Sequence, residues 1–289
     1  MTDQAEQLRE IMKGRSAEDN GGVEKTRIIT VASGKGGVGK TNLSINLGLA
    51  YAKLGKKVIV LDADLGLANV NVVLGMIPKY NLYHIIRKQK TMKEIILDTD
   101  YGIKIVAGAS GFFKIANLEQ EERDGFINEL SELSSADIII IDTSAGVSSN
   151  VLAFVAAADD VIIVTTPEPT AITDAYGIIK IIATEIDNMD IGLKLIVNRV
   201  KSVTEGKKVS ERVINIAGQF LNLKVDYLGY VYDDPIVSAA VIKQKPFMVS
   251  EPNSKASICV KQLVSRLEKV EYKEGSGVNR FIQKLMGRI

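Results

Sequence analysis

The sequence predicts a doubly wound α/β fold, a mostly parallel β-sheet flanked by helices. Three observations lead there. Short runs rich in isoleucine and valine recur along the chain, helix-like segments alternate with them, and a glycine-rich loop joins the first run to the first helical segment. The runs are continuous rather than alternating polar and apolar, as expected of strands covered on both faces.

The elements follow in order. Residues 1–13 form a leader with an amphipathic helical pattern through Ala5, Leu8, Ile11 and Met12. The polar, glycine-rich "GRSAEDNGGVEK" follows as a linker, so the leader and linker take residues 1–24. Strands are predicted at 27–33, 57–64, 102–108, 136–144, 160–166, 192–200 and 226–232. Helices are predicted between them, most clearly at "TNLSINLGLAYAKLG" and "TDAYGIIKIIATEI". The main domain therefore spans 25–272, and residues 273–289 hold a second linker, "KEGSG", and a tail.

Composition excludes several classes. The 289 residues carry 36 basic and 35 acidic side chains, so no global field points to nucleic acid. One cysteine, Cys259, rules out an internal disulfide and argues against a cysteine-held metal cluster; its helix-like surroundings suit a small buried hydrophobe. The single histidine, His84, reads as structural. No apolar run approaches the ~20 residues of a spanning helix, and the N-terminus has no hydrophobic signal core, so a cytoplasmic protein is expected.

"GKGGVGKT", residues 34–41, fits G-x-x-x-x-G-K-[ST] between a strand and a helix. Backbone amides of Gly34, Gly36, Gly37, Val38 and Gly39 can turn toward phosphates, aided by the partial positive charge of the helix start at Lys40, Thr41 and Asn42. Lys40 is placed to reach the β- and γ-phosphates of ATP, and Thr41 to ligate Mg²⁺. Asp62, Asp64 and Asp142 stand at strand C-terminal ends, where open α/β sheets bind ligands. Asp142 suits the acidic surroundings of the metal, and Asp62 or Asp64 the orientation of an attacking water. A lone strand-end aspartate would more simply cap the next turn; two such sites beside this loop favour function.

"SGKGGVGKT" has a second lysine, Lys35, directly after the first glycine. It resembles the deviant Walker A motif of the MinD/ParA family. "LDADLGLANV" is similar to that family's second aspartate motif, and "IIIIDTSAG" to its Walker B strand. The resemblance covers roughly residues 25–270. It implies an ATPase that dimerises around two ATP molecules, with Lys35 reaching the partner's nucleotide as a positive charge in trans. By motif position Asp64 holds the attacking water, Asp62 lies near the Mg²⁺ shell, and Asp142 binds the metal through water. "VNRV" at 197–200 resembles the adenine-contacting segment, with Asn198 and Arg199 as contacts and Asn46 as a weaker candidate.

Within the family, "TTPEPTAITDAYGIIK" and the leader "DQAEQLR" resemble the FlhG (FleN/YlxH) group of flagellar regulators. That resemblance implies that Gln4, Ala5, Leu8 and Arg9 engage the GTPase FlhF, and it admits flagellar switch (C-ring) proteins as partners. The tail places Val278, Phe281, Ile282, Leu285, Met286 and Ile289 on one helical stripe, with Arg280, Lys284 and Arg288 in a basic row beside it. Such a helix suits the interface of an anionic membrane, weakly as one copy and better as two in an ATP-held dimer. The alternatives are a MinD-type division-site regulator and a ParA-type DNA-partition ATPase. The leader 1–13 and the "TTPEPTAITDAY" segment argue against the first, and the balanced charge weakens the second. No specific nucleic acid is expected. Iron–sulfur relatives would need paired cysteines.

Overall fold

The structure, a computed structural model, describes residues 26–64, 69–108, 125, 128–186, 191–221 and 223–269. The predicted leader residues Gln4, Ala5, Leu8 and Arg9 lie outside the described residues. So do the predicted tail residues Val278, Arg280, Phe281, Ile282, Lys284, Leu285, Met286, Arg288 and Ile289.

The described strands form one eight-stranded sheet. They are β1 Arg27–Ser33, β2 Val58–Ala63, β3 Ile96–Asp98, β4 Lys104–Val106, β5 Ile138–Ala145, β6 Asp160–Thr165, β7 Gly192–Val200 and β8 Asp226–Tyr232. Their spatial order is β3-β4-β2-β5-β1-β6-β7-β8, parallel throughout except for β3 against β4. All seven predicted runs are strands. The eighth, β3, lacked a signal because it is only three residues long at a sheet edge. Short, charge-bearing edge strands resist further pairing, and Asp98 meets Lys104 of β4 at 3.2 Å.

The apolar runs divide by alternation into two cores, one on each face. Ile28, Ile59, Leu61, Ile139 and Ile141 face one side, and Ile29, Val31, Val58, Val60 and Ile140 the other. The first core is closed by α5 (Ser149–Ala157), α6 (Pro169–Glu185) and α7 (Val203–Leu221), with α3 (Leu82–Ile86) and α4 (Met92–Ile95) at its edge. The second is closed by α1 (Lys40–Ala52), the short α2 (Val70–Val73) and α9 (Phe247–Ser250), and α10 (Lys255–Leu267). Helix α8 (Pro235–Ile242) follows β8 and adds Ala240 to the second core.

Helix α6 begins four residues before the predicted helical segment. Pro169 fixes its first φ, and Glu168 supplies an extended N-cap. His84 is structural, as expected: it completes a capping box with Asn81 at the start of α3. Cys259 is buried in α10, also as expected.

The topology places the site. From the central strand β1 the chain crosses to β2 on one side, then returns through β5 and passes to β6 on the other. The C-terminal ends of β1, β2, β5 and β6 therefore surround one crevice, the switch point at which such sheets bind ligands.

Candidate nucleotide site

The phosphate loop leaves β1 at Ser33 and enters α1 at Lys40. Gly39 ends it with φ 97°, a left-handed conformation that favours glycine; a Cβ there would also collide with the Asn198 carboxamide. A Cβ at Gly34 would collide with the Asp174 backbone carbonyl, so Gly34 lets the loop lie directly on α6.

Lys40 is 8% exposed, and its Nζ donates to Ser33 Oγ at 2.8 Å. Burial pulls its ammonium down from the ordinary value, while Asp142 and Asp64 oppose that shift. A polyanion in the loop would act in the same direction as those carboxylates.

Asp142 is fully buried at the end of β5, and Asp62 pairs with it across β2. Asp142 Oδ1 accepts from Ser44 Oγ at 2.8 Å, while its buried Oδ2 has no hydrogen-bond partner. Burial raises this carboxyl to about 6 against the pull of Thr41, Ser44 and Lys40. A bare acceptor beside the Thr41 hydroxyl fits a hydrated Mg²⁺, a hard cation that keeps several waters. Among the described residues no cluster of three or more His, Cys, Asp or Glu could hold a metal ion.

Asp62 is engaged by the backbone. Its Oδ1 accepts from Asp64 N at 3.0 Å, and its Oδ2 from Asn69 N at 2.8 Å and Val70 N at 3.1 Å, anchoring the start of α2. Burial, then Asp142, raises it to about 7, and the three amides oppose the shift. Asp64 is half-buried and receives Asn69 Nδ2 at 3.4 Å.

Beyond the loop lies a cavity of about 630 Å³ lined by Gly39, Asn42, Thr166, Asn198, Arg199 and Asp234, among others. Asn198 Nδ2 donates to Val38 O at 2.8 Å, tying β7 to the phosphate loop, and Arg199 follows with φ 56°. Both sequence-predicted base contacts thus reach this cavity. Asn46 does not line it. Its Nδ2 donates to Asn42 O and its Oδ1 accepts from Met248 N, so it pins α9 to α1.

Lys35 Nζ donates at 2.7 Å to Glu168 Oε2 and at 2.7 Å to Thr170 Oγ1, within one chain. Lys35 holds the Glu168 carboxyl below its ordinary value. Sequence reasoning missed Glu168 and Thr170, as well as Ser33 and Ser44. The first two stand over 130 positions from Lys35; Ser33 opens "SGKGGVGKT", but the motif's pattern assigns it no role, and Ser44 lies within α1 beyond the motif. Glu168 and Thr170 lie within "TTPEPTAITDAYGIIK", just beyond the apolar run at 160–166, but that resemblance assigns a role to neither.

A family model described as an AAA domain matches residues 26–195. The chain is 38% identical over 252 residues to the antiactivator FleN of Pseudomonas aeruginosa, covering 86% of this chain and 88% of that protein. It is 38% identical over 277 residues to the flagellum site-determining protein YlxH of Helicobacter pylori, covering 93% and 92%. The chain belongs to the MinD/ParA-type ATPases, in their FlhG (FleN/YlxH) branch. As a member of that family it is an ATPase, with ATP and Mg²⁺ as its cofactors. The fold agrees: the septum site-determining protein MinD of Pyrococcus horikoshii, complexed with Mg-ADP, matches with a TM-score of 0.68 at 24% identity, covering 84% of this chain and 96% of that one.

Proposed function

We propose that this ATPase is a nucleotide-switched regulator of flagellar number and placement. In this reading ATP joins two copies face to face, Lys35 of each reaches the other's nucleotide, and hydrolysis separates them. The leader stimulates the GTPase FlhF, and paired tails hold the dimer on the inner face of the cell membrane. C-ring proteins are further partners. The observation that carries the reading is the likeness to FleN and YlxH over most of the chain. No described helix is long and apolar enough to cross a membrane, which accords with a peripheral attachment by the tail.

The residues divide the chemistry. The loop amides and Lys40 bind the phosphates, and Asn198 and Arg199 border the base cavity. Thr41 and Asp142, with Asp62 behind them, would hold Mg²⁺, which when bound would offset the negative charge that develops on the phosphates. Asp64 orients the attacking water. Lys35 must leave Glu168 and Thr170 before it can act in trans, so its cis contacts belong to the monomer.

The test mixes the full chain, or a peptide of residues 1–20, with FlhF and measures GTP hydrolysis. Strong stimulation by both, lost in Gln4→Ala, is expected. Absence of stimulation with active FlhF would overturn the flagellar reading and favour a MinD-type division regulator. ATP-dependent retention on DNA would favour the partition type.

A further inference from the structure

We propose that the surface formed by Ile77, Lys79, Tyr80, Tyr83, Arg87 and Lys90 docks an acidic, apolar-tipped segment of a protein partner. Between Asp64 and Glu94 the chain carries no acidic residue but five basic ones. This stretch lies at the nucleotide end of the sheet, where Leu82 N bonds Ala107 O just beyond β4. Residues 77–90 do not line the nucleotide cavity.

The side chains are organised. Lys79 and Lys90 stand over the Tyr80 ring, with Nζ at 5.2 Å and 4.5 Å from its centroid. Arg87 stands over Tyr83 at 5.4 Å and donates through Nε to its hydroxyl at 3.1 Å. His84 packs edge-on against both tyrosines and joins the halves into one patch. Of the neighbouring acids, Glu94 pairs with Lys90 at the edge of the patch and also accepts from Thr91, while Glu132 is committed to Lys93 and Glu129 to the Met92 amide. Neither Lys79 nor Arg87 forms an ion pair among the described residues. Ile77, two positions before Lys79, is a large apolar side chain left 97% exposed.

Charge complementarity calls for an anion, and the geometry favours protein over nucleic acid. Single strands gain affinity by stacking bases on aromatic faces. Here those faces already carry cations, and a phosphodiester backbone has nothing to offer Ile77. A segment with carboxylates around an apolar residue satisfies both features. The patch also continues directly from α2, whose first amide is held by Asp62, so an occupant would press on the element next to Asp64.

The test uses the full chain and a labelled synthetic amphipathic peptide of glutamate and leucine, followed by fluorescence anisotropy. A glutamine-for-glutamate peptide and oligothymidylate run beside it. The acidic peptide should bind, more weakly as salt rises, and the glutamine peptide should not. Lys79→Glu with Arg87→Glu should weaken binding about tenfold or more, and Ile77→Ala about threefold. Unchanged melting and ATP affinity show that the variants are folded. Failure of the acidic peptide to bind, equal binding by the glutamine peptide, or equal binding to the charge-reversed chain overturns the proposal. Tighter oligothymidylate binding, lost in that same variant, would overturn it in favour of nucleic acid.

Discussion

At the N-terminal ends of the strands, Arg27 lies between Asp160, whose Oδ2 it meets at 2.7 Å through Nε, and Glu268, whose Oε1 it meets at 2.6 Å. Lys194 closes on the other Asp160 oxygen at 2.9 Å, and Tyr51 donates to Glu268 at 2.9 Å. At the C-terminal ends, Asp62 and Asp142 sit side by side in the same sheet, fully buried, and one oxygen of Asp142 accepts nothing. Both ends bury charge. The lower end neutralises it within the chain and so contributes to stability, whereas the upper end leaves carboxylates under strain that only a cation or a proton relieves. An incomplete set of partners inside a complete fold is what distinguishes a site from a scaffold.

Breaking the upper end should remove function and spare the fold. Lys40→Ala should lower ATP turnover about a thousandfold, since it removes the charge aimed at the phosphates, read as phosphate release at saturating ATP. Asp64→Asn should slow hydrolysis about a hundredfold while ATP still binds, which separate binding and turnover measurements would show. Breaking the lower end should do the reverse. Arg27→Met strands Glu268 and leaves Asp160 with Lys194 alone, costing about 2–3 kcal/mol, visible as a lower melting temperature with unchanged ATP affinity.

A pH series sharpens the contrast. Asp62 and Asp142 titrate near 3.8 in an unfolded chain but at about 7 and about 6 in the fold. The folded state therefore holds the extra protons between about pH 4 and pH 7. Stability of the nucleotide-free protein should rise as pH falls through that window, and Asp62→Asn should flatten the slope in calorimetry. Mg²⁺-nucleotide affinity should fall over the same range, because the cation needs the ionised form. The smallest effect is expected at Thr170→Val, which loosens an exposed contact of Lys35 and should change stability by no more than about 0.5 kcal/mol.

The two ends also differ in how plainly the sequence announces them. Seven strands were legible because buried parallel strands need continuous Ile and Val, and the phosphate loop because its glycines and lysine have fixed spacing. Asp62, Asp64 and Asp142 were legible from their place at strand ends. The lower clamp was not, since Arg27, Tyr51, Asp160 and Glu268 meet only through the topology, up to 241 positions apart. The partners of Lys35 were hidden for the same reason. The engagement of Asp62 by three backbone amides could not be read either, because a loop's path is set by packing and not by its composition.

The Arg27–Glu268 contact also fixes geography. It joins the first described strand to the last described helix, so the chain enters this body and leaves it from one pole, opposite the phosphate loop. The seven residues of β1 put about 20 Å between that pole and the nucleotide mouth. The first and last described residues, Thr26 and Lys269, therefore both lie at the far side from the phosphate loop. Helix α10, pinned to Arg27 at its foot and with its first turn bound by Asp234 at the cavity rim, has its two ends tied to the two poles by hydrogen bonds.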